Sequence, residues 1–258
     1  MTRVALKGGQ QDMALKEEFE QSGNWLFRWR SFLPLAGGVI LLVAFREYKY
    51  PGNSEMLDHF WEGFCLFVSL LGLLIRAYTI GHTPKRTSGR NTKKQVADSL
   101  NTSGAYSMVR NPLYLGNFVM VLGVVLFAHL WWLTLIYTLV FWLYYERIIF
   151  AEETYLRGKF GEEYLSWANQ TPIFIPKFKN YKKPDLPFSL KNVLRREYNG
   201  FFAVIICLFL SEVLGDLFLN HKLEFDWGWG VILAVGFVVW MILRTLKKRT
   251  TLLDVDGR

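Results

Sequence analysis

Arg110, Asn111 and Pro112 stand together in the stretch GAYSMVRNPLYLGNF, at the head of a long apolar run. Asn111 suits a helix N-cap. Pro112 suits the first helical position, where a missing amide hydrogen costs nothing. A helix starting there offers free N–H groups and partial positive charge, and Arg110 adds a full charge beside them. That combination can hold a carboxylate or a phosphate; Arg110 alone also suits an interfacial anchor whose charge reaches for water. A second polar cluster, YYERIIFAEETYLRGKFGEEY, places Glu146, Glu152 and Glu153 near the end of a later apolar run. Glu146 and Glu153 are seven residues apart and are expected on one helical face. Carboxylates gain nothing from a helix C-terminus, so they call for a cationic partner. If the two apolar runs form antiparallel neighbours, the arginine and the glutamates lie at one level, and a small polar molecule fits between them.

The elements that must position these groups are membrane helices. Of 258 residues, 52% are hydrophobic and 17% aromatic, and several apolar runs reach the roughly 20 residues that a helix needs to cross a bilayer core of about 30 Å. Expected spans are residues 29–45, 60–80, 113–130, 131–150, 201–219 and 227–243, all helical because lipid offers no partner to an open backbone. The fold class is thus all-α, a polytopic membrane protein of about six helices. The first span is short and borrows the aromatic segment NWLFRWR as its interfacial end.

Under that arrangement 27 of the 30 Lys and Arg residues fall on one side and only Arg46, Lys49 and Lys222 on the other. The positive-inside rule then makes both termini cytoplasmic. The net charge of +8 is therefore topological rather than a sign of nucleic-acid binding, and it favours contact with anionic lipid. The first 24 residues are largely polar, so no cleavable signal peptide is expected. Cys65 and Cys207 fall inside spans and read as packing. His59, His82, His129 and His221 lack metal-site spacing, so no metal is expected.

Three regions follow. Residues 1–103 hold an interfacial segment, two spans and a polar loop. Residues 104–176 hold the polar clusters on two spans with almost no loop between them. Residues 177–258 hold a linker and a final helical pair that reads as an addition. In the polar loop, His82, Lys85, Arg86, Arg90, Lys93 and Lys94 either close over a ligand or simply form a solvated basic loop. Glu212 and Asp216, one turn apart in the fifth span, read as packing or helix-to-helix hydrogen bonding.

The ordered set SGAYSMVRNPLYLGNF and ERIIFAEETYLRGKFGEEYLSWANQTPIFIP, covering residues 103–176, resembles the integral membrane methyltransferases that include isoprenylcysteine carboxyl methyltransferase and the phospholipid methyltransferases. The resemblance implies S-adenosyl-L-methionine as cofactor and methyl transfer to a membrane lipid or lipidated substrate at the cytoplasmic face. In a bacterium that is the inner membrane. It implies cofactor contacts from Gly104, Tyr106, Val109, Arg110, Pro112, Leu113, Tyr114, Gly116, Glu152 and Glu153, and catalytic parts for Arg110, Asn111 and Glu153. For Gly116, close helix packing is an equal reading. Where the isoprenylcysteine enzymes carry histidine, this chain has Asn111, which cannot change charge near neutral pH. That difference favours O-methylation of an acceptor already anionic. N-methylation of a phospholipid amine and a non-catalytic scaffold are the alternatives. Acceptor identity and oligomeric state have no signature in the sequence.

Overall fold

The computed structural model describes residues 15–30, 32–87, 95–222 and 226–258. Helices carry the fold: α1 (Leu15–Trp29), α2 (Leu33–Ala44), α3 (Glu55–Gly81), α4 (Ala105–Met108), α5 (Pro112–Leu126), α6 (Trp131–Phe160), α7 (Glu162–Gln170), α8 (Leu190–Asn220) and α9 (Trp227–Arg249). Four of them, α3, α6, α8 and α9, are long and apolar enough to cross a membrane, and α5 is a shorter apolar helix. Rows of exposed large apolar residues, among them Phe60, Phe64, Phe67, Leu71 and Leu74 on α3, face outward where lipid would solvate them. The chain is an all-α polytopic membrane protein.

Two spans differ from the sequence expectation. The run 29–45 is not one helix: α1 ends at Trp29 and α2 begins at Leu33. The aromatic NWLFRWR stretch belongs to α1, an amphipathic helix packed along the far half of α6. There Arg147 stacks over the Phe19 ring at 3.7 Å and donates to Ser22 Oγ at 3.1 Å. Hydropathy cannot see this break, because aromatic residues suit an interfacial helix and a span equally. The second difference is length: α5 has 15 residues, roughly 22 Å of helix. Residues 127–130 then turn tightly into α6, with His129 in the left-handed region at φ 57°.

Local chemistry explains the helix starts. Asp226 Oδ1 accepts from Trp229 N at 2.8 Å at the head of α9, and Ser189 Oγ accepts from Asn192 N at 3.3 Å at the head of α8. Gly161, at φ 53°, separates α6 from α7, a conformation that glycine adopts without strain. The bundle centre is the α3–α5 crossing. A side chain on Gly116 would meet Arg76 Cγ at 2.5 Å and the Gly72 carbonyl at 2.9 Å, so the two backbones touch there. Phe45, Cys65, Phe127, Leu133, Val204 and Leu208 fill the core beyond this crossing.

Candidate active site

Residues 104–111 form a folded turn before α5, and the strand-like segment after α7 straps it in place. Gly104 N donates to Lys182 O at 2.9 Å, Arg110 N to Pro172 O at 2.8 Å, and Lys177 N to Met108 O at 2.9 Å. Trp167 Nε1 donates to Tyr106 O at 3.1 Å. Gly104 sits at φ 60° and ψ −130° with Pro184 Cγ only 3.1 Å from where a Cβ would lie, so glycine is required by the strap itself.

The fixed turn presents Arg110 to α6. Its Nη1 stands 2.8 Å from Glu153 Oε1 and donates to Oε2 at 2.9 Å, while its buried Nε has no partner. Glu152, the next residue, points elsewhere. Its Oε1 accepts from Tyr114 Oη at 2.8 Å and lies 3.8 Å from Arg30 Nη1, delivered by the end of α1. Adjacent helical residues diverge by about 100°, so the two glutamates serve different partners.

Between these groups lies a cavity of about 710 Å³. Tyr106, Arg110, Asn111, Pro112, Leu113, Tyr114 and Glu152 are all on its wall. Burial first, and the Glu152 charge second, hold the Tyr106 phenol well above its ordinary range, so it stays neutral. Glu153, Gly104, Val109 and Gly116 are not on the wall. Glu153 grips Arg110, Gly104 makes the turn, buried Val109 packs under it, and Gly116 is spent on the α3–α5 crossing. Glu146 is exposed on α6 and joins neither group. Asn111 heads α5 as expected, but its side chain does not cap; Nδ2 donates instead to Ile173 O at 3.2 Å.

Several wall residues have no counterpart in the sequence reading. Arg76 on α3 donates from Nε and Nη2 to the two oxygens of Glu197 on α8, at 2.7 and 2.8 Å, and from Nη1 to Asn117 Oδ1 at 2.5 Å. Asn117 Nδ2 passes the network on to Tyr145 Oη at 3.2 Å. Arg76 had a visible signature, a lone arginine inside an apolar span; Glu197 had none. The last helical pair is no appendage, because Asn192, Arg195, Arg196 and Glu197 of α8 and Lys247 of α9 build one side of the cavity. Lys85 and Arg86 also reach the wall, whereas Arg90, Lys93 and Lys94 lie outside the described residues. His82 packs its ring between Tyr78 and Phe188, at 4.6 and 5.4 Å.

Most of this geometry comes from one segment. Residues 63–163 match the phospholipid methyltransferase family. The family resemblance seen in the motif set is thereby borne out. The phospholipid methyltransferase match takes in most of α3, the strapped turn, α5 and α6, and stops short of α8 and α9. Among curated proteins, the chain is 31% identical to the protein-S-isoprenylcysteine O-methyltransferase of Schizosaccharomyces pombe, over 55% of this chain and 61% of that protein. It is 29% identical to the enzyme of the same name from Tribolium castaneum, over 52% and 48% respectively. It is also 34% identical to the cobalt-zinc-cadmium resistance protein CzcN of Cupriavidus metallidurans, over 47% of this chain and 56% of that one. The chain thus spans about half to three fifths of the length of these relatives. No solved structure matches it.

Proposed function

We propose that this chain transfers a methyl group from S-adenosyl-L-methionine to a lipid-borne acceptor carrying an acidic group, in a cavity that opens at the cytoplasmic face. The observation that carries this reading is the charge of the cavity. Nine basic residues border it, among them Arg110, Arg86 and Arg195 with Glu153, Asp98 and Asp254 beside them, against Glu152 and Glu197, so basic residues predominate on its wall. The methyl donor carries two positive groups and one negative, so a wall rich in basic residues favours a second, anionic substrate beside it. Membrane helices on either side supply the lipid phase from which such a substrate arrives.

The residues present fit the donor. Arg110, with its unpartnered buried Nε, suits a carboxylate. Glu152 suits an ammonium or ribose hydroxyl, and the Tyr106 and Tyr114 rings suit a sulfonium. When bound, the donor supplies an electrophilic methyl group. The protein's own part is positioning: Arg110 is aimed by Glu153, Glu152 is aimed by Tyr114, and α1 closes one wall with Phe27 and Arg30. An anionic acceptor needs no proton removed, which accords with Asn111 in place of a titrating side chain. Names carried by the relatives point the same way, since several are O-methyltransferases of lipidated cysteine. The cytoplasmic orientation rests on the distribution of basic residues.

The test is transfer of labelled methyl from S-adenosyl-L-methionine into membrane lipid by purified protein, followed by mild base. Label released as methanol establishes an ester. Base-stable label on an amine replaces this reading with N-methylation, with Glu152 as proton acceptor. Absence of both transfer and donor binding leaves a scaffold.

A further inference from the structure

The strap that holds the turn 104–111 has an outer surface that is apolar and basic at once. Phe174 anchors it against the membrane helices: its ring lies 5.8 Å from Phe118 on α5 and 6.0 Å from Trp142 on α6. Phe118 is six residues past Pro112, roughly 9 Å along α5, and Trp142 is exposed within the apolar run of α6. Phe174 therefore sits at a level where lipid, not bulk water, surrounds the bundle.

Around that anchor the chain reads IFIPKFKNYKK, residues 173–183. Ile175, Phe178 and Tyr181 are exposed, the first two at 79% and 74%, and such a cluster of bare apolar groups marks a contact surface. Lys177, Lys179, Lys182 and Lys183 are interleaved with them and are exposed too. Among the described residues none of the four pairs with a carboxylate. Asp185, the nearest acidic residue in sequence, accepts instead from Ser103 Oγ at 2.6 Å. Aromatic and aliphatic groups mixed with lysines suit the boundary between acyl chains and anionic headgroups, where rings settle at headgroup depth and each lysine adds attraction. A soluble acidic partner would satisfy the lysines but would not account for Phe174 seated among residues of the spans.

The same segment grips the turn. Lys177 N donates to Met108 O and Lys182 N to Ser107 Oγ, both at 2.9 Å, while Lys182 O accepts from Gly104 N. Whatever fixes the backbone of these lysines fixes the turn that presents Arg110 to Glu153. We propose that residues 173–183 dock on anionic lipid headgroups and that this docking clamps the turn 104–111. Lipid charge thereby sets how firmly Arg110 is held at the cavity wall. The clamp is a property of the strap and is independent of the proposed methyl transfer.

Hydrogen exchange at the Gly104, Lys177 and Lys182 amides reports the clamp, because the strap must open before they exchange. Full-length protein is placed in nanodiscs of phosphatidylcholine alone or with added phosphatidylglycerol. Both faces of a nanodisc carry the same lipid, so orientation does not enter. Exchange is expected to be slower by about tenfold or more with phosphatidylglycerol. That slowing should vanish in the variant combining Lys177→Gln, Lys179→Gln, Lys182→Gln and Lys183→Gln, whose altered side chains are exposed and leave the fold intact, and persist in the control Lys16→Gln on α1. Equal wild-type exchange in the two lipids overturns the proposal, as does slowing that survives the fourfold substitution. If soluble polyglutamate slows exchange where phosphatidylglycerol does not, the partner is an acidic protein and the proposal falls as well.

Discussion

Arg76 and Glu197, 121 residues apart, meet in a two-point ion pair that joins α3 to α8, with N–O distances of 2.7 and 2.8 Å. The pair ties the helix that carries the cavity floor to a helix outside the phospholipid methyltransferase match. Both side chains are largely sequestered, at 20% and 7% exposure. Removing one partner from such a pair leaves an uncompensated charge and costs about 3 to 5 kcal/mol. Glu197→Ala is therefore expected to lower the thermal midpoint in nanodiscs by roughly 6 to 20 °C, at about 2 to 4 °C per kcal/mol. Arg76→Met with Glu197→Leu, which removes both charges, should recover much of that loss. A double variant no more stable than the single one would show that the pair is not energetically coupled.

The Arg110–Glu153 contact makes a different prediction. Glu153 is off the cavity wall, so Glu153→Gln should act on the methyl donor only through Arg110. Loss of a charge-assisted hydrogen bond is worth roughly 1.5 to 3 kcal/mol, about ten to a hundredfold in affinity. Arg110→Lys keeps the charge but removes the planar fork that serves Glu153 and leaves Nε to spare. Both variants should stay folded yet bind S-adenosyl-L-methionine at least tenfold more weakly by calorimetry. Wild-type affinity in either one would return Arg110 to an interfacial anchor.

Glycines on two helices should respond with opposite signs. Gly116→Ala drives a methyl group into Arg76 and the α3 backbone, an overpacking that costs about 1 to 3 kcal/mol. Gly158→Ala lies in α6 with nothing within 4 Å of the added carbon, so helix propensity alone should stabilise by about 0.5 to 1 kcal/mol. Thermal melts of the two variants decide it. Equal behaviour would mean that α3 and α5 do not cross at Gly72 and Gly116.

What the sequence revealed, and what it hid, divides along the range of the interactions involved. The start of α5 at Pro112 was legible because proline suits the first helical position, and the nearness of Arg110 to the glutamates because one tight connection makes α5 and α6 neighbours. The seven-residue spacing paired Glu146 with Glu153, yet the cavity took Glu152, because Tyr114 and Arg30 choose the partner and their positions are tertiary facts. The split between α1 and α2 was hidden by aromatic residues that suit interface and span alike. Glu197 and the basic residues of α8 and α9 were hidden for a simpler reason: nothing near them in the chain betrays a partner more than a hundred residues away.

The last prediction concerns that hidden wall. Arg195 and Lys247 line the cavity from α8 and α9, where Arg195 lies 3.0 Å from Asp254 Oδ1 and Lys247 stands over the Tyr198 ring at 4.8 Å. Asp254 offsets part of the Arg195 charge, and both residues stand on the wall contributed by α8 and α9. If this basic wall recruits an acidic acceptor, Arg195→Gln with Lys247→Gln should raise the acceptor concentration needed for half-maximal transfer by about ten to a hundredfold, at roughly 1 kcal/mol per basic group near a lipid surface. The affinity for S-adenosyl-L-methionine should stay unchanged. Added salt should weaken the wild type more than the double variant, because screening removes what the substitutions have already removed. A variant that loses donor affinity and acceptor affinity together would place these residues in the donor's site, and an unaltered acceptor dependence would show that the α8–α9 wall carries its charge for orientation in the membrane alone.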